Sequence, residues 1–298
     1  MKWKDIFNLG IKMGQDSDIR NVDTPGSYTG SYSDCAIISG NENREVNTVY
    51  VAVDAGVAEL LLVDELNRKG KKIDGVIIHH PTGPGGYNLT GVVDIQKYNW
   101  ERFGVDPKAA DRIYIKMVEE ENIELSARNF LAVENAARFL DIPVICMHTA
   151  IDNIVQVFFE NIFKKNNLGT VKDVCNEINS IYEVSKASKY GDGPYIIGDR
   201  EARPGNIMVD MTGGIDPDPQ IFSFLKKVGV NTLIAMHYGQ DNVKAIKESK
   251  INAVISGHMA SDSIGINRYC DRLESQGLDI VAGAGLYRHR RSGTNRSK

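Results

Sequence analysis

The sequence predicts an α/β protein, because short apolar, β-branched runs alternate with stretches of helical periodicity between residues 46 and 282. One run is especially informative. Gly75–Ile78 lies between a polar stretch and Pro-Thr-Gly-Pro-Gly-Gly, which marks a buried strand, and it ends in two adjacent histidines, His79 and His80. Ligands of open α/β sheets collect outside the carboxyl ends of strands, so position and residue type point to the same place. An inert, hydrogen-bonded histidine is the plainer reading for a single residue there. Two adjacent imidazoles favour metal ligation.

The chain has 298 residues, 42% hydrophobic and 25% charged, enough for a sizeable core. A single domain of two interlocked lobes is expected: lobe one at about 1–165, connecting helices at about 166–192, lobe two at about 193–287 and a basic tail at 288–298. A net charge of -4 and a pI of about 5.9 argue against nucleic-acid and anionic-membrane partners. The start turns acidic and polar before a leader's apolar region could form, and no apolar run has a membrane span's length. A cytoplasmic protein is expected. Cys35, Cys146, Cys175 and Cys270 show no C-x-x-C spacing, so reduced thiols are expected.

Residues 3–13 place Trp3, Ile6, Phe7, Gly10 and Ile11 at helical spacing. Residues 15–43 are rich in Gly, Ser, Asp and Asn without periodicity, which predicts a functional lid or mobile segment. Residues 46–53 form a strand and 57–66 a buried helix, completing a βαβ unit with 75–78. The glycines of 83–86 predict a flexible loop able to close on a ligand or turn the chain. Helices follow at 92–103, 107–121 and 127–140, then a strand at 143–150 and a helix at 151–164. Asp152 sits at that junction, either as a helix cap worth about 1 kcal/mol or as a ligand; both put it at the same sheet edge. A polar helical connection at 170–189 leads to strands at 194–197, 207–211, 232–237, 253–256 and 278–282, interleaved with helices at 220–228, 241–250 and 263–274. The tail 288–298 is basic, lacks apolar residues and is expected to be disordered.

The strand at 253–256 leads into His258, with Asp262 four residues on, a spacing that puts imidazole and carboxylate on one face of a helical turn. With His79, His80 and Asp152 this makes three histidines and two carboxylates at strand-to-loop junctions. One tetrahedral ion needs four ligands, so five suit two divalent ions roughly 3.5 to 4 Å apart. His148 and His237 also lie at strand ends and are candidates for orienting a ligand or facing a substrate, with a satisfied core histidine the equal alternative.

These stretches resemble the Nif-three-like dinuclear-metal proteins, through VYVAVDAGVAELLLVDEL, IIHHP, IPVICMHTAIDN and INAVISGHMASDSIG. The resemblance spans nearly the whole chain and is nearest to a long subgroup with the early helix, VDMTGG and GHMASDS. It implies two related α/β lobes, a two-metal site from His79, His80, Asp152, His258 and Asp262, and a homo-oligomer, of which a hexameric ring is one form. Many members carry Glu where Asp262 stands here. Some members are called GTP cyclohydrolase, others metal-dependent hydrolases or interacting factors, so the resemblance leaves the activity open.

Imidazole and carboxylate ligands without thiolate suit Zn, Mn, Fe or Mg. Paired ions lower the pKa of a coordinated water and hold an electrophilic oxygen, the equipment for hydrolysing a phosphoester or a nucleotide-like small molecule. No side chain is assigned as the catalytic group. A G-x-S-x-G elbow, a Walker loop and the kinase motifs are all absent from the sequence. Gly83 to Gly86 and the TGG at Thr212 to Gly214 could offer backbone N–H groups to a phosphorylated substrate or simply turn the chain. The alternative is a non-catalytic metal-binding scaffold or regulatory interacting factor, whose site would be closed.

Overall fold

The computed structural model describes residues 1–165 and 168–291. Its strands are β1 (Ala36–Ser39), β2 (Thr48–Ala52), β3 (Gly75–Ile78), β4 (Val144–Cys146), β5 (Tyr195–Ile197), β6 (Asn206–Asp210), β7 (Val230–Ala235), β8 (Asn252–Ile255) and β9 (Asp279–Gly283). They form two mixed sheets, ordered β1-β4-β3-β2-β9 and β5-β8-β7-β6. The same first-fourth-third-second order occurs in both. In each, the first strand is an antiparallel edge, β1 against β4 and β5 against β8, and the neighbouring strands run parallel. The α/β class expected from the alternation is the observed one.

All four residues of β3 and all three of β4 are buried, because helices cover both faces of the sheet. On one face Val76 and Ile78 pack with Leu60 and Val63 of helix Val57–Arg68 and with Val133 and Ala137 of helix Leu131–Leu140. On the other, Ile77 packs with Trp3 and Ile6 of helix Trp3–Asp16, Ile151 of helix Thr149–Lys165 and Tyr269 of helix His258–Ser275. These last two helices also turn Val155, Phe159, Ala260 and Ile264 toward Val209, Ile234 and Val254 of the second sheet. They form a middle layer shared by both sheets. Their approach depends on Gly265, where a Cβ would stand 2.7 Å from Ile151 Cγ2. Gln156, fully buried in the middle layer, takes Met211 N–H on its Oε1 at 2.9 Å and gives Nε2–H to Val209 O at 3.0 Å, satisfying the open edge of β6.

Four expectations need correction. The strand at 278–282 exists as β9, but it runs parallel beside β2 in the first sheet instead of joining the second-half strands, so the chain's end closes the first sheet. Residues 15–43 are built into the fold: they finish the first helix, form helix Ile19–Asp23 and supply β1. Asp18, Tyr32 and Asp34 among them are buried, with Asp18 accepting from Arg20 Nη2 at 2.7 Å and Tyr32 Oη at 3.0 Å. Composition alone cannot separate such a network from a solvated loop. Gly83 to Gly86 belong to a short helix, Gly83–Tyr87, where glycine serves close packing, since a Cβ on Gly85 would lie 2.7 Å from Asp34 O. In the tail, Arg288 pairs with Asp271 at 2.6 Å and Glu274 at 2.8 Å, and Arg291 with buried Glu183 at 2.6 Å. The rest of the expected disordered tail, 292–298, lies outside the described residues.

Candidate metal centre

His79 and His80 leave the carboxyl end of β3, and the parallel pairing of β3 with β4 brings His148 and Asp152 to the same edge. His258 opens the helix after β8 and carries Asp262 one turn on. All five residues read from the sequence as a ligand set meet here. His79 Nε2 lies 3.3 Å from Asp152 Oδ1 and 3.5 Å from Asp262 Oδ1. The other oxygen of Asp262 lies 3.3 Å from His80 Nε2 and 3.6 Å from His258 Nε2. One carboxylate thus faces His79 with one oxygen and the His80–His258 pair with the other.

Three of the imidazoles are aimed by a partner on the far side of the ring. His79 Nδ1 is 2.9 Å from Met147 O, His80 Nδ1 is 2.6 Å from Asp54 Oδ1, and His148 Nδ1 is 2.8 Å from Asp34 Oδ2. A carbonyl or carboxylate there takes the Nδ1 proton and leaves Nε2 as an electron-pair donor, as metal-ligating histidines require. His79 Nε2, Asp152 Oδ1 and both oxygens of Asp262 are buried without a hydrogen-bond partner among the described residues. Burying an unpaired carboxylate costs several kcal/mol, so a fold that keeps two side by side has the polarity of a cation site. These buried His and Asp groups could hold a metal ion, in the sets His79, His80, Asp262 and His79, His148, Asp152.

The carboxylates that would favour a cation also favour protons on the imidazoles, so an ion would bind in competition with them. Burial works against charge on His79, but the carboxylates of Asp262 and Asp152 outweigh it and raise its pKa. Burial likewise opposes charge on His80, yet its bonds to Asp262 and Asp54 raise it to about 9. Burial lowers His258 to about 4, leaving it neutral at physiological pH. For Asp262 burial is overridden by His79 and its other imidazole neighbours, and the carboxyl is held well below its usual range.

The structure adds groups that the sequence reading underweighted or passed over. His148 does more than flank the site, for its Nε2 lies 3.6 Å from Asp152 Oδ2. The available signal was the internal repeat V-I-x-x-H-x-A-x-D, at 144–152 and again at 254–262, running from β4 and from β8 into the helix that follows each. It makes His148 the counterpart of His258. Asp54, one residue past Val53, has a strand-end position as its signal; Asp34, hidden in the 15–43 segment, has none. His237 stands at the rim, half-exposed, its ring 4.5 Å from that of His258 and its Nδ1 3.3 Å from Asp216 Oδ1.

A cleft of about 230 Å³ opens beside His80, His148, Asp152 and His258, and is walled by Gln96, Asp210, Thr212, Asp216, His237 and Tyr238. A larger cleft of about 790 Å³ lies where Arg102, Lys164 and Asn206 meet, but there Arg102 and Lys164 are paired with Glu160. Of the unpartnered groups, Asp152 and Gln96 line the smaller cleft and none lines the larger, so the chemistry centres on the smaller one.

Comparison with solved structures bears on the fold. A NIF3 superfamily protein from Sphaerobacter thermophilus is similar over 95% of this chain and 98% of its own, with a TM-score of 0.80 at 22% identity. The chain has the NIF3 fold. Reduced HcgD from Methanocaldococcus jannaschii is similar over 95% of this chain and 97% of its own, with a TM-score of 0.55 at 14% identity. A Bacillus cereus protein related to NIF3 has a TM-score of 0.50 at 10% identity, over 95% of this chain and 96% of its own. No family model and no curated protein matches the sequence. Among the described residues no helix is long and apolar enough to cross a membrane.

Proposed function

We propose that the chain is a NIF3 superfamily protein whose His79, His80, Asp152, His258 and Asp262 hold two divalent ions, and that it hydrolyses a phosphoester or nucleotide-like small molecule. The observation that carries this reading is the set of unpartnered, inward-facing atoms on His79, Asp152 and Asp262, ringed by three further imidazoles. Bound there, paired divalent ions supply Lewis acidity and a nucleophile at neutral pH. The chain's own residues do the rest: Met147 O, Asp54 and Asp34 hold the imidazole tautomers, and Asp262 reaches both halves of the centre.

Turnover is favoured over a non-catalytic scaffold by where the exposure lies. His79, Asp152 and Asp262 are 2%, 3% and 0% exposed, but the side chain of His258 is 36% exposed and faces the cleft, as a catalytic centre needs. The resemblance to the family also supports a cytoplasmic homo-oligomer, a hexameric ring among the forms to test.

Elemental analysis after gentle purification, with assays on a phosphoester and nucleotide panel before and after chelation, tests the reading. Two ions per chain and turnover that chelation removes and metal restores are expected. No more than one ion after loading, or turnover indifferent to chelation, overturns it. Unfolding on chelation with no turnover on any substrate would favour the scaffold.

A further inference from the structure

Apart from its histidines, the cleft beside the centre carries acceptors and no cationic side chain. Among its lining residues the charged side chains other than histidine are Asp152, Asp210 and Asp216, with no Lys or Arg. Asp216 is already engaged, accepting Gly239 N–H at 2.7 Å and facing His237 at 3.3 Å. Asp210 is not, since its Oδ2 takes the Tyr238 hydroxyl at 2.7 Å while Oδ1 has no hydrogen-bond partner among the described residues. Gln96, 2% exposed, gives its Nε2–H to Ile215 O. That bond orients the amide, and leaves the Gln96 carbonyl oxygen buried without a partner.

We propose that this cleft selects small molecules that turn amino or amidine N–H groups toward Asp210 and Gln96, and that it rejects a second anionic group. The inference rests on the reading that the histidine and carboxylate centre takes the substrate's electrophilic, phosphate-bearing end. An acceptor with no partner penalises any ligand that leaves it unpaired, so a site built this way discriminates strongly against analogues lacking the donor. A carboxylate near a second phosphate adds like-charge repulsion. Burial raises Asp210 to about 6, so at neutral pH it is ionised and accepts only. The volume of about 230 Å³ is below the roughly 300–1,000 Å³ of drug-sized sites, which suits a single ring.

The test uses three phosphates of one shape, 4-aminophenyl, phenyl and 4-carboxyphenyl phosphate, titrated calorimetrically into the full chain loaded with Mn²⁺. The amino compound is expected to bind about tenfold tighter than phenyl phosphate, as a hydrogen bond to a charged group implies, and the carboxy compound more weakly than either. Asp210→Asn, which keeps an acceptor for Tyr238, and Gln96→Met should each erase most of the amino preference. Equal binding of the three, or an amino preference untouched by both variants, overturns the inference. A separate arm titrates benzamidine and benzoate into metal-free protein, where benzamidine alone should bind and should weaken in Asp210→Asn; no discrimination there also overturns it. If phenyl phosphate binds equally with and without metal, the dinuclear reading fails, and the benzamidine arm still decides this one.

Discussion

His80 and His258 are 178 positions apart in sequence, yet their Nε2 atoms face each other at 3.2 Å. Across such a gap either one Nε2–H donates to the other nitrogen's lone pair, or both lone pairs point at a common cation. Asp54 holds His80 from behind at 2.6 Å, and the helix start that carries His258 is held by Asp192, which accepts its backbone N–H at 3.0 Å. The two halves of the centre are therefore oriented independently and meet at their tips.

His258→Ala should weaken a bound divalent ion by tenfold or more, since even groups that only orient a ligand are worth about 10- to 100-fold. Competition with a chelating dye measures this. Asp262→Glu should be milder, because it keeps a carboxylate between the same imidazoles. Unchanged affinity in His258→Ala would mean that the two halves share no ion.

Asp34→Asn tests the group that aims His148. Asp34 is fully buried, and its Oδ2 accepts from His148 Nδ1 at 2.8 Å and from Thr149 Oγ1 at 2.6 Å. Replacing an oxygen by an amide nitrogen would set donor against donor, at a cost of about 1–3 kcal/mol in urea unfolding. Metal affinity should fall with it. A stability loss with metal affinity intact would place His148 outside the centre.

Asp210 predicts a pH dependence of stability. Its folded-state pKa of about 6 lies above the group's ordinary 3.8, because burial disfavours the charge more than Tyr238 supports it. The folded state then holds the proton more tightly, so the contribution is complete below pH 3.8 and is lost as pH rises through 6. Thermal melts of Asp210→Asn across that window should be flatter than those of the parent, with a higher melting temperature than the parent above it. Parallel curves would count against the raised pKa.

Truncation after Tyr287 removes Arg288 and Arg291 from Asp271, Glu274 and Glu183. Glu183 is fully buried, and losing one partner of a buried pair costs on the order of 3 kcal/mol. The truncated chain should unfold at clearly lower urea. No shift would make these ion pairs surface ornaments.

The strands were legible in the sequence because a parallel strand covered on both faces must be apolar throughout, as Gly75–Ile78 is. The histidines after them were legible because a polar side chain at the end of such a run lies at a sheet edge. His-x-x-x-Asp spacing carries its own geometry, since a helix turn places both groups on one face. Tertiary structure alone decided the remainder. Whether residues 15–43 form a lid or part of the scaffold depends on partners such as Asn153 and His148, more than a hundred positions away. A polar residue looks the same in sequence whether water or a distant side chain satisfies it. The place of β9 beside β2, the role of Asp34 and the meeting of His80 with His258 all follow from the packing of two sheets on one shared helical layer, a long-range arrangement that no local pattern encodes.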